Sequence, residues 1–230
     1  MMDLEDLTRW FRRSGPSLLG YSGGVDSAVL AVVGTRALGP DQFLAVIGRS
    51  ASYPEVQWIA ARDVANRFGV PVHEIDTDEL NDPNYRANAP DRCYHCKAEL
   101  WSRLREVAAQ RGFATIVDGS HSDDHGEHRP GAAAAAEHAV RSPLAELGWG
   151  KARVRAVALA LGLPIWDAPA APCLSSRIAY GIAVTPERVA PMNPGSTGTR
   201  PEASRGRTCA VTAAEVSSRS GRARKAQAAS

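Results

Sequence analysis

The sequence predicts an α/β fold, a doubly wound parallel sheet, followed by a disordered tail. Three observations predict it. Short apolar runs alternate with stretches of helical length, the pattern of a parallel sheet covered by helices on both faces. The first apolar run ends in a turn of small residues, "GYSGGVDSAVL" from Gly20 to Leu30, which opens directly into the next apolar stretch. At 230 residues and 44% hydrophobic content, the chain is long enough for one well-cored domain of about 150 to 200 residues plus something smaller.

Each element has its own signal. In "MMDLEDLTRWFRRSG", Leu4, Leu7, Trp10 and Phe11 fall at the spacing of an amphipathic helix docked on the body. "SLLGYS" reads as the first strand, and "AVLAVVGTRAL", apolar all round, as a helix packed between layers. "FLAVIG" is the second strand. "PEVQWIAARDVANRFG" is a helix that opens at Pro54, where a missing amide does no harm, and closes on Gly69. "VPVHEID" follows as a strand, "CKAELWSRLREVAAQRG" as a helix ending at Gly112, and "ATIVDGS" as the fourth strand. Ala132 to Ala136 form an Ala-rich helical turn. "RSPLAELGWGKARVRAVALALGLP" gives a short extended piece and a helix, with Leu144 and Leu147 packing and Val154, Val157, Ala158 and Leu161 on one face.

Composition removes several classes of function. The 27 basic and 25 acidic residues leave a net charge of +2, but seven of the bases and two of the acids lie from Ala190 onward. The part before it is mildly acidic and lacks the basic face a nucleic acid requires. No run approaches the roughly 18 apolar residues of a membrane span, and the amino terminus has neither a signal nor a transit pattern, so a cytoplasmic protein is expected. From Pro191 to Ser230 there are almost no large apolar residues, too few to offset ordering entropy. Residues 1–189 are expected as the folded domain and 190–230 as a disordered or aberrant tail. The four cysteines, in such a chain, point to ligands or nucleophiles rather than a disulfide framework.

The glycine-rich turn reads as an anion site. Gly23 and Gly24 let the backbone take φ > 0 and approach a ligand, while a helix starting at Val25 aims its free amides into the same space. The Walker spacing and the dinucleotide fingerprint are both absent. Ser22 and Ser27 instead offer hydroxyls to phosphate oxygens, and Asp26 a carboxylate for hydrated Mg2+. The plain alternative is a flexible strand-to-helix turn. The run Ser22, Gly23, Gly24, Val25, Asp26, Ser27 resembles the signature of the PP-loop ATP pyrophosphatases, which implies a loop gripping the pyrophosphate of ATP while a substrate oxygen attacks the α-phosphate.

Further segments narrow the resemblance. "DGSHSDDHGEHRPG" (Asp118 to Gly131), "RSPLAELG" and "PAAPCLSSRIAYG" (Pro169 to Gly181) together resemble the LarE sulfur transferases, from about Leu18 to Thr185. That resemblance implies a pyridinium biscarboxylate mononucleotide as substrate, whose carboxylates are adenylated by ATP and converted to thiocarboxylates for the nickel-pincer nucleotide cofactor. Cys173 matches the sulfur-bearing position. A thiolate there has chemical sense, because adenylation turns a poor electrophile into one with a good leaving group. Arg177 beside it would stabilise the thiolate or hold a substrate carboxylate or phosphate, against the bland reading of a buried cysteine with a surface arginine. Arg129 in "HRPG" is read as a substrate phosphate ligand, Asp123 and Asp124 as ribose or magnesium contacts, and Gly119 as a place where a nucleotide approaches a strand end. His121, His125 and His128 are read as surface loop residues.

"RCYHCK" sets Cys93 and Cys96 just before a helix at a spacing that lets both thiolates meet one metal. With Cys173 they make three, and the sequence resembles those family members whose three cysteines hold a [4Fe-4S] cluster rather than those that sacrifice a single one. A zinc site completed by His95 or His121, a redox-active pair, and a pair with no role stay open. The family continues beyond this point into a region that helps build a homo-oligomer, so assembly is in question for this chain, and Cys209 has no counterpart. Competing functions are another PP-loop enzyme such as a tRNA thiolase, and a noncatalytic ATP-binding remnant. The sulfide source is not encoded in any motif.

Overall fold

Leu18 and Leu19 are neighbours in sequence, both fully buried, and sit in two different hydrophobic cores. That is the mark of a strand covered on both faces, since successive side chains point to opposite sides. Burying each contributes roughly 1.5 to 3 kcal/mol.

The computed structural model describes residues 2–124 and 130–193. In chain order these form α1 (Met2–Ser14), β1 (Ser17–Gly20), α2 (Val25–Leu38), β2 (Phe43–Arg49), α3 (Glu55–Phe68), β3 (Val72–Asp76), α4 (Pro83–Ala87), α5 (Arg92–Arg111), β4 (Thr115–Val117), α6 (Pro130–Glu137), α7 (Pro143–Glu146), α8 (Lys151–Leu161) and α9 (Pro186–Val189). Short 3-10 turns occupy Glu79–Asn81, Ser122–Asp124, Leu174–Arg177 and Ala190–Met192.

The sheet is parallel throughout, in the order β3-β2-β1-β4, with Leu18 opposite Leu44 on one side and Ile116 on the other. The chain moves outward from β1 through β2 to β3, then crosses back to place β4 on the far side of β1. The order reverses there, so the loops after β1 and β4 diverge and open a crevice at their carboxyl ends. One core packs Leu19, Ala45, Ile47 and Val117 against α1, α2, α3 and α8, and the other packs Leu18, Leu44, Val46 and Ile116 against α5 and α6. A third, small core gathers Tyr85, Leu174, Val184 and Val189, with Cys96 and Met192 against it. It ties the segment after α8 to α4 and α5.

The expected alternation is present, with three local differences. The cysteine pair lies inside the first turns of α5, which starts at Arg92 rather than after the motif. The extended piece before α7 shrinks to a single parallel bridge between Val117 and Arg141. Ordered structure continues past the expected boundary at Ala190, because Met192 packs on the third core and the Asn193 side chain accepts the Glu55 amide at 2.9 Å. The remainder of the expected tail, with Cys209, lies outside the described residues, as do Arg129, His125 and His128. No helix among the described residues is long and apolar enough to cross a membrane.

Candidate active site

The loop between β1 and α2 is held from beneath. Tyr53 and Gln57 donate to the Ser22 carbonyl at 2.9 and 2.6 Å, so α3 and the turn before it fix the loop's first peptide. Gly23 has φ +77°, and a Cβ on it would lie 2.7 Å from the Ala61 Cβ and 3.0 Å from the Gln57 carbonyl. Only glycine meets both demands. Gly24, expected to take positive φ as well, is instead extended at φ −73°, as the residue before the first turn of α2 must be. Ser22 and Ser27 hydroxyls are 3.2 Å apart across the start of α2, and the Ser27 hydroxyl also donates to the Gly24 carbonyl at 3.0 Å. The first turn of α2 therefore opens beside two hydroxyls, a place suited to phosphate oxygens.

The loop contains no lysine, yet one reaches it. Lys151, the first residue of α8, donates from Nζ to both Asp26 carboxylate oxygens at 2.7 and 2.6 Å. Its backbone amide is capped by Asp123 at 2.7 Å. Asp123, expected at a ribose or magnesium, thus sits at the start of α8, where it fixes the lysine that fixes Asp26. The signal for Lys151 lay in "GWGK", a turn opening a helix, but nothing local said which loop that helix would face. Gly119 lies where a strand-end contact was expected: a Cβ there would be 3.1 Å from the Ser27 amide. Asp118 next to it accepts from Ser120 and from the Ser142 hydroxyl at 2.8 and 2.7 Å, tying the β4 end to α7.

A cavity of about 290 Å3 connects this loop to the cysteines. Its lining includes Gly20, Tyr21 and Ser22 at the entry to the loop, the three cysteines Cys93, Cys96 and Cys173, and Arg92, Lys97 and Glu79. Cys93 is exposed, and Cys96 and Cys173 are half-buried. Burial first, then the Glu79 carboxylate, pushes the Cys96 thiol up to about 12, while Lys97 opposes the shift and the other two cysteines reinforce it. A helix amino terminus ordinarily favours a thiolate, so here desolvation outweighs the helix field. Cys173 precedes the Leu174–Arg177 turn on a loop, as its surroundings in sequence suggested.

Some expected neighbours are elsewhere. Arg177 is exposed and does not line the cavity; the arginine that does is Arg92, 4% exposed, which sequence reasoning missed. His95 stands between Asp82 and Asp91 at 3.4 and 3.6 Å, away from the cavity wall. His121 is not a surface residue: its side chain is 12% exposed and lies 3.6 Å from Asp124. Also unforeseen was Glu79, 3% exposed, whose Oε2 is buried with no hydrogen-bond partner among the described residues.

Three soft thiols on one cavity wall, with both imidazoles turned to carboxylates, match the donor chemistry of an iron–sulfur cluster better than that of a closed zinc site. Among the described residues no three His, Cys, Asp or Glu side chains are gathered into a metal site.

Comparison with known proteins agrees with this architecture. The family model described as NAD synthase matches residues 12–115, the part that carries β1, the glycine loop and the cysteine pair. An uncharacterized protein of Synechocystis sp. is 41% identical over 186 residues, 81% of this chain and 69% of that one. Pyridinium-3,5-bisthiocarboxylic acid mononucleotide synthase of Lactiplantibacillus plantarum is 34% identical over 172 residues, 75% of this chain and 62% of the synthase. An uncharacterized protein of Methanocaldococcus jannaschii is 27% identical over 163 residues, covering 71% of this chain and 61% of its own length. The chain therefore spans between about three fifths and seven tenths of these curated relatives. With the PP-loop sequence at the switch point of a parallel sheet and these matches over most of its length, the chain belongs to the LarE family of PP-loop proteins.

Proposed function

We propose that this chain is an ATP-dependent sulfur transferase that adenylates the carboxylates of a pyridinium biscarboxylate mononucleotide and turns them into thiocarboxylates, a step in making a nickel-pincer nucleotide. One observation carries the reading: Gly20, Tyr21 and Ser22, which lead into the glycine loop, line the same cavity as the three cysteines. The Lactiplantibacillus relative, a pyridinium-3,5-bisthiocarboxylic acid mononucleotide synthase, supports the substrate class.

In this reading the first turn of α2, Ser22 and Ser27 hold the pyrophosphate end of ATP, with Asp26 and Lys151 balancing charge beside Mg2+. A substrate carboxylate oxygen attacks the α-phosphorus, pyrophosphate leaves, and an acyl adenylate forms. A thiolate sulfur then adds to the acyl carbon and AMP leaves with the carbon–oxygen bond pair. Cys173 is the residue assigned to present sulfur. With its own thiol it forms a thioester, and loss of the Cα proton with cleavage of the Cβ–S bond leaves a thiocarboxylate and dehydroalanine. Cys93, Cys96 and Cys173 would be the ligands of a [4Fe-4S] cluster, which when bound would supply an open iron position for inorganic sulfide. Arg177, Arg129 and Asp123 stay assigned to substrate contacts.

The test is anaerobic incubation of the full chain with ATP, Mg2+, sulfide and the synthetic biscarboxylate mononucleotide. Pyrophosphate and AMP release that depends on the mononucleotide, with oxygen-for-sulfur exchange seen by mass spectrometry, is the expected result. Pyrophosphate release dependent on tRNA instead would replace the substrate assignment, and ATP binding with no release would sink the enzymatic reading.

A further inference from the structure

A buried polar network that the proposed chemistry does not use reaches the cavity lining through Ser52, Tyr85 and Arg92. The hydroxyls of Ser52, Tyr85 and Ser175 form a closed ring, with Ser52 2.9 Å from Tyr85, Ser52 2.7 Å from Ser175, and Tyr85 2.8 Å from Ser175. All three residues are at most 3% exposed. In such a ring each hydroxyl donates once and accepts once, so every member is satisfied without water.

Arg92 adds a second layer. Its Nη1 donates to the Asn88 side-chain oxygen and to the Ser175 carbonyl, the latter at 2.8 Å. The guanidinium lies 5.8 Å from the Tyr180 ring centroid. Among the described residues no carboxylate pairs with it, and as the first residue of α5 it stands at the positive end of that helix. A buried cation without a counter-charge, placed against a helix field, is a costly arrangement. Asn88, fully buried at φ +55°, donates to the carbonyls of Ile178, Ala179 and Ile182. Backbone bonds complete the attachment, from Leu174 to the Ser52 carbonyl at 2.9 Å and from Val184 to the Arg86 carbonyl at 2.9 Å.

The covalent neighbours give the network its meaning. Arg92 precedes Cys93, and Ser175 lies two residues after Cys173, so one guanidinium joins the helical turn of the cysteine pair to the loop of the third cysteine. We propose that Arg92, Asn88 and the Ser52–Tyr85–Ser175 ring are positioning residues that hold the Cys173 loop against the first turn of α5 and set the thiol of Cys173 relative to Cys93 and Cys96. Its functional meaning rests on the sulfur-transfer reading, but its geometry does not. A fully bonded buried network specifies one arrangement, whereas apolar contacts of the third core alone permit sliding.

The experiment treats the full, reduced, metal-free chain with dibromobimane, a short reagent that bridges two thiols, and quantifies bridged peptides by mass spectrometry. The Cys93–Cys96 bridge, within one helix turn, is the internal standard. The wild type should bridge Cys173 to that pair. Tyr85→Phe, Ser175→Ala and Arg92→Lys should each lower Cys173 bridging relative to the standard about tenfold or more, the scale of misplacing a reacting atom by part of an ångström. Tyr85→Phe preserves volume and serves if the other variants fold poorly. An unchanged ratio in all three variants, a parallel fall of both bridges, or no Cys173 bridging in the wild type would overturn the proposal. A chain that bridges as expected but makes no AMP keeps the clamp and rejects the sulfur-transfer reading; normal product with unchanged ratios in the variants does the reverse.

Discussion

Gly23→Ala tests the glycine loop at its tightest point. The backbone at Gly23 has φ +77°, a conformation that costs an alanine about 1 to 2 kcal/mol. The added methyl would stand 2.7 Å from the Ala61 Cβ and 3.0 Å from the Gln57 carbonyl, neither at the far end of a flexible side chain, so overpacking adds about 1 to 3 kcal/mol. Together the variant should lose about 2 to 5 kcal/mol, either as global stability or as displacement of the loop from α3. Urea unfolding reads the first, and calorimetric titration with ATP and Mg2+ reads the second. If the loop moves instead of the whole fold weakening, the hydrogen bonds from Tyr53 and Gln57 to the Ser22 carbonyl go with it, and ATP affinity falls by tenfold or more on the same scale. A variant as stable as the wild type within about 0.5 kcal/mol, with unchanged ATP affinity, would refute the described loop geometry.

Three other outcomes are expected. Lys151→Met should change stability by only about 1 kcal/mol, since the pair with Asp26 is partly exposed, but should weaken ATP roughly ten- to hundredfold by removing a charge-assisted contact; unchanged affinity would reduce Lys151 to a counter-ion of Asp26. The Cys96 thiol ionises near 9.0 when unfolded and is pushed up to about 12 by burial, so the folded form retains a proton that the unfolded form releases. Its contribution is complete below about pH 9 and is lost as pH rises toward 12, by at most about 4 kcal/mol; unfolding curves of the wild type and Cys96→Ala should converge over that window, and parallel curves would contradict it. Glu79→Met replaces a carboxylate with an orphaned buried oxygen, so stability should hold or rise by about 1 to 3 kcal/mol while sulfur transfer is measured separately; a clear loss of stability would mean the carboxylate has a partner in solution.

Much of the site was legible because its parts are local. The run from Ser22 to Ser27 carries its own geometry: a glycine at Gly23 where φ is positive, hydroxyls on either side of the glycine pair that come within 3.2 Å, and a helix that starts at Val25. The pair Cys93 and Cys96 and the loop placement of Cys173 are likewise properties of short segments. Arg177 is expected beside Cys173, as a partner of its thiolate or a ligand of the substrate, from adjacency in sequence; it is exposed, and the arginine in the cavity lining, Arg92, comes from another element. His121, expected at the surface, is largely covered for a related reason, since a polar loop sequence does not reveal that its side chain turns toward Asp124.

The sequence by itself determined the alternation of strands and helices, a parallel sheet covered on both faces, the glycine loop and the set of three cysteines, because periodicity, turn chemistry and residue type act over a few residues. The tertiary structure alone decided that Lys151 meets Asp26, that Arg92 meets Ser175, and that loop and thiols share one cavity. Those contacts follow from the order β3-β2-β1-β4, which is set by how whole helices cover the two faces of the sheet, and no local pattern specifies which strand ends become neighbours.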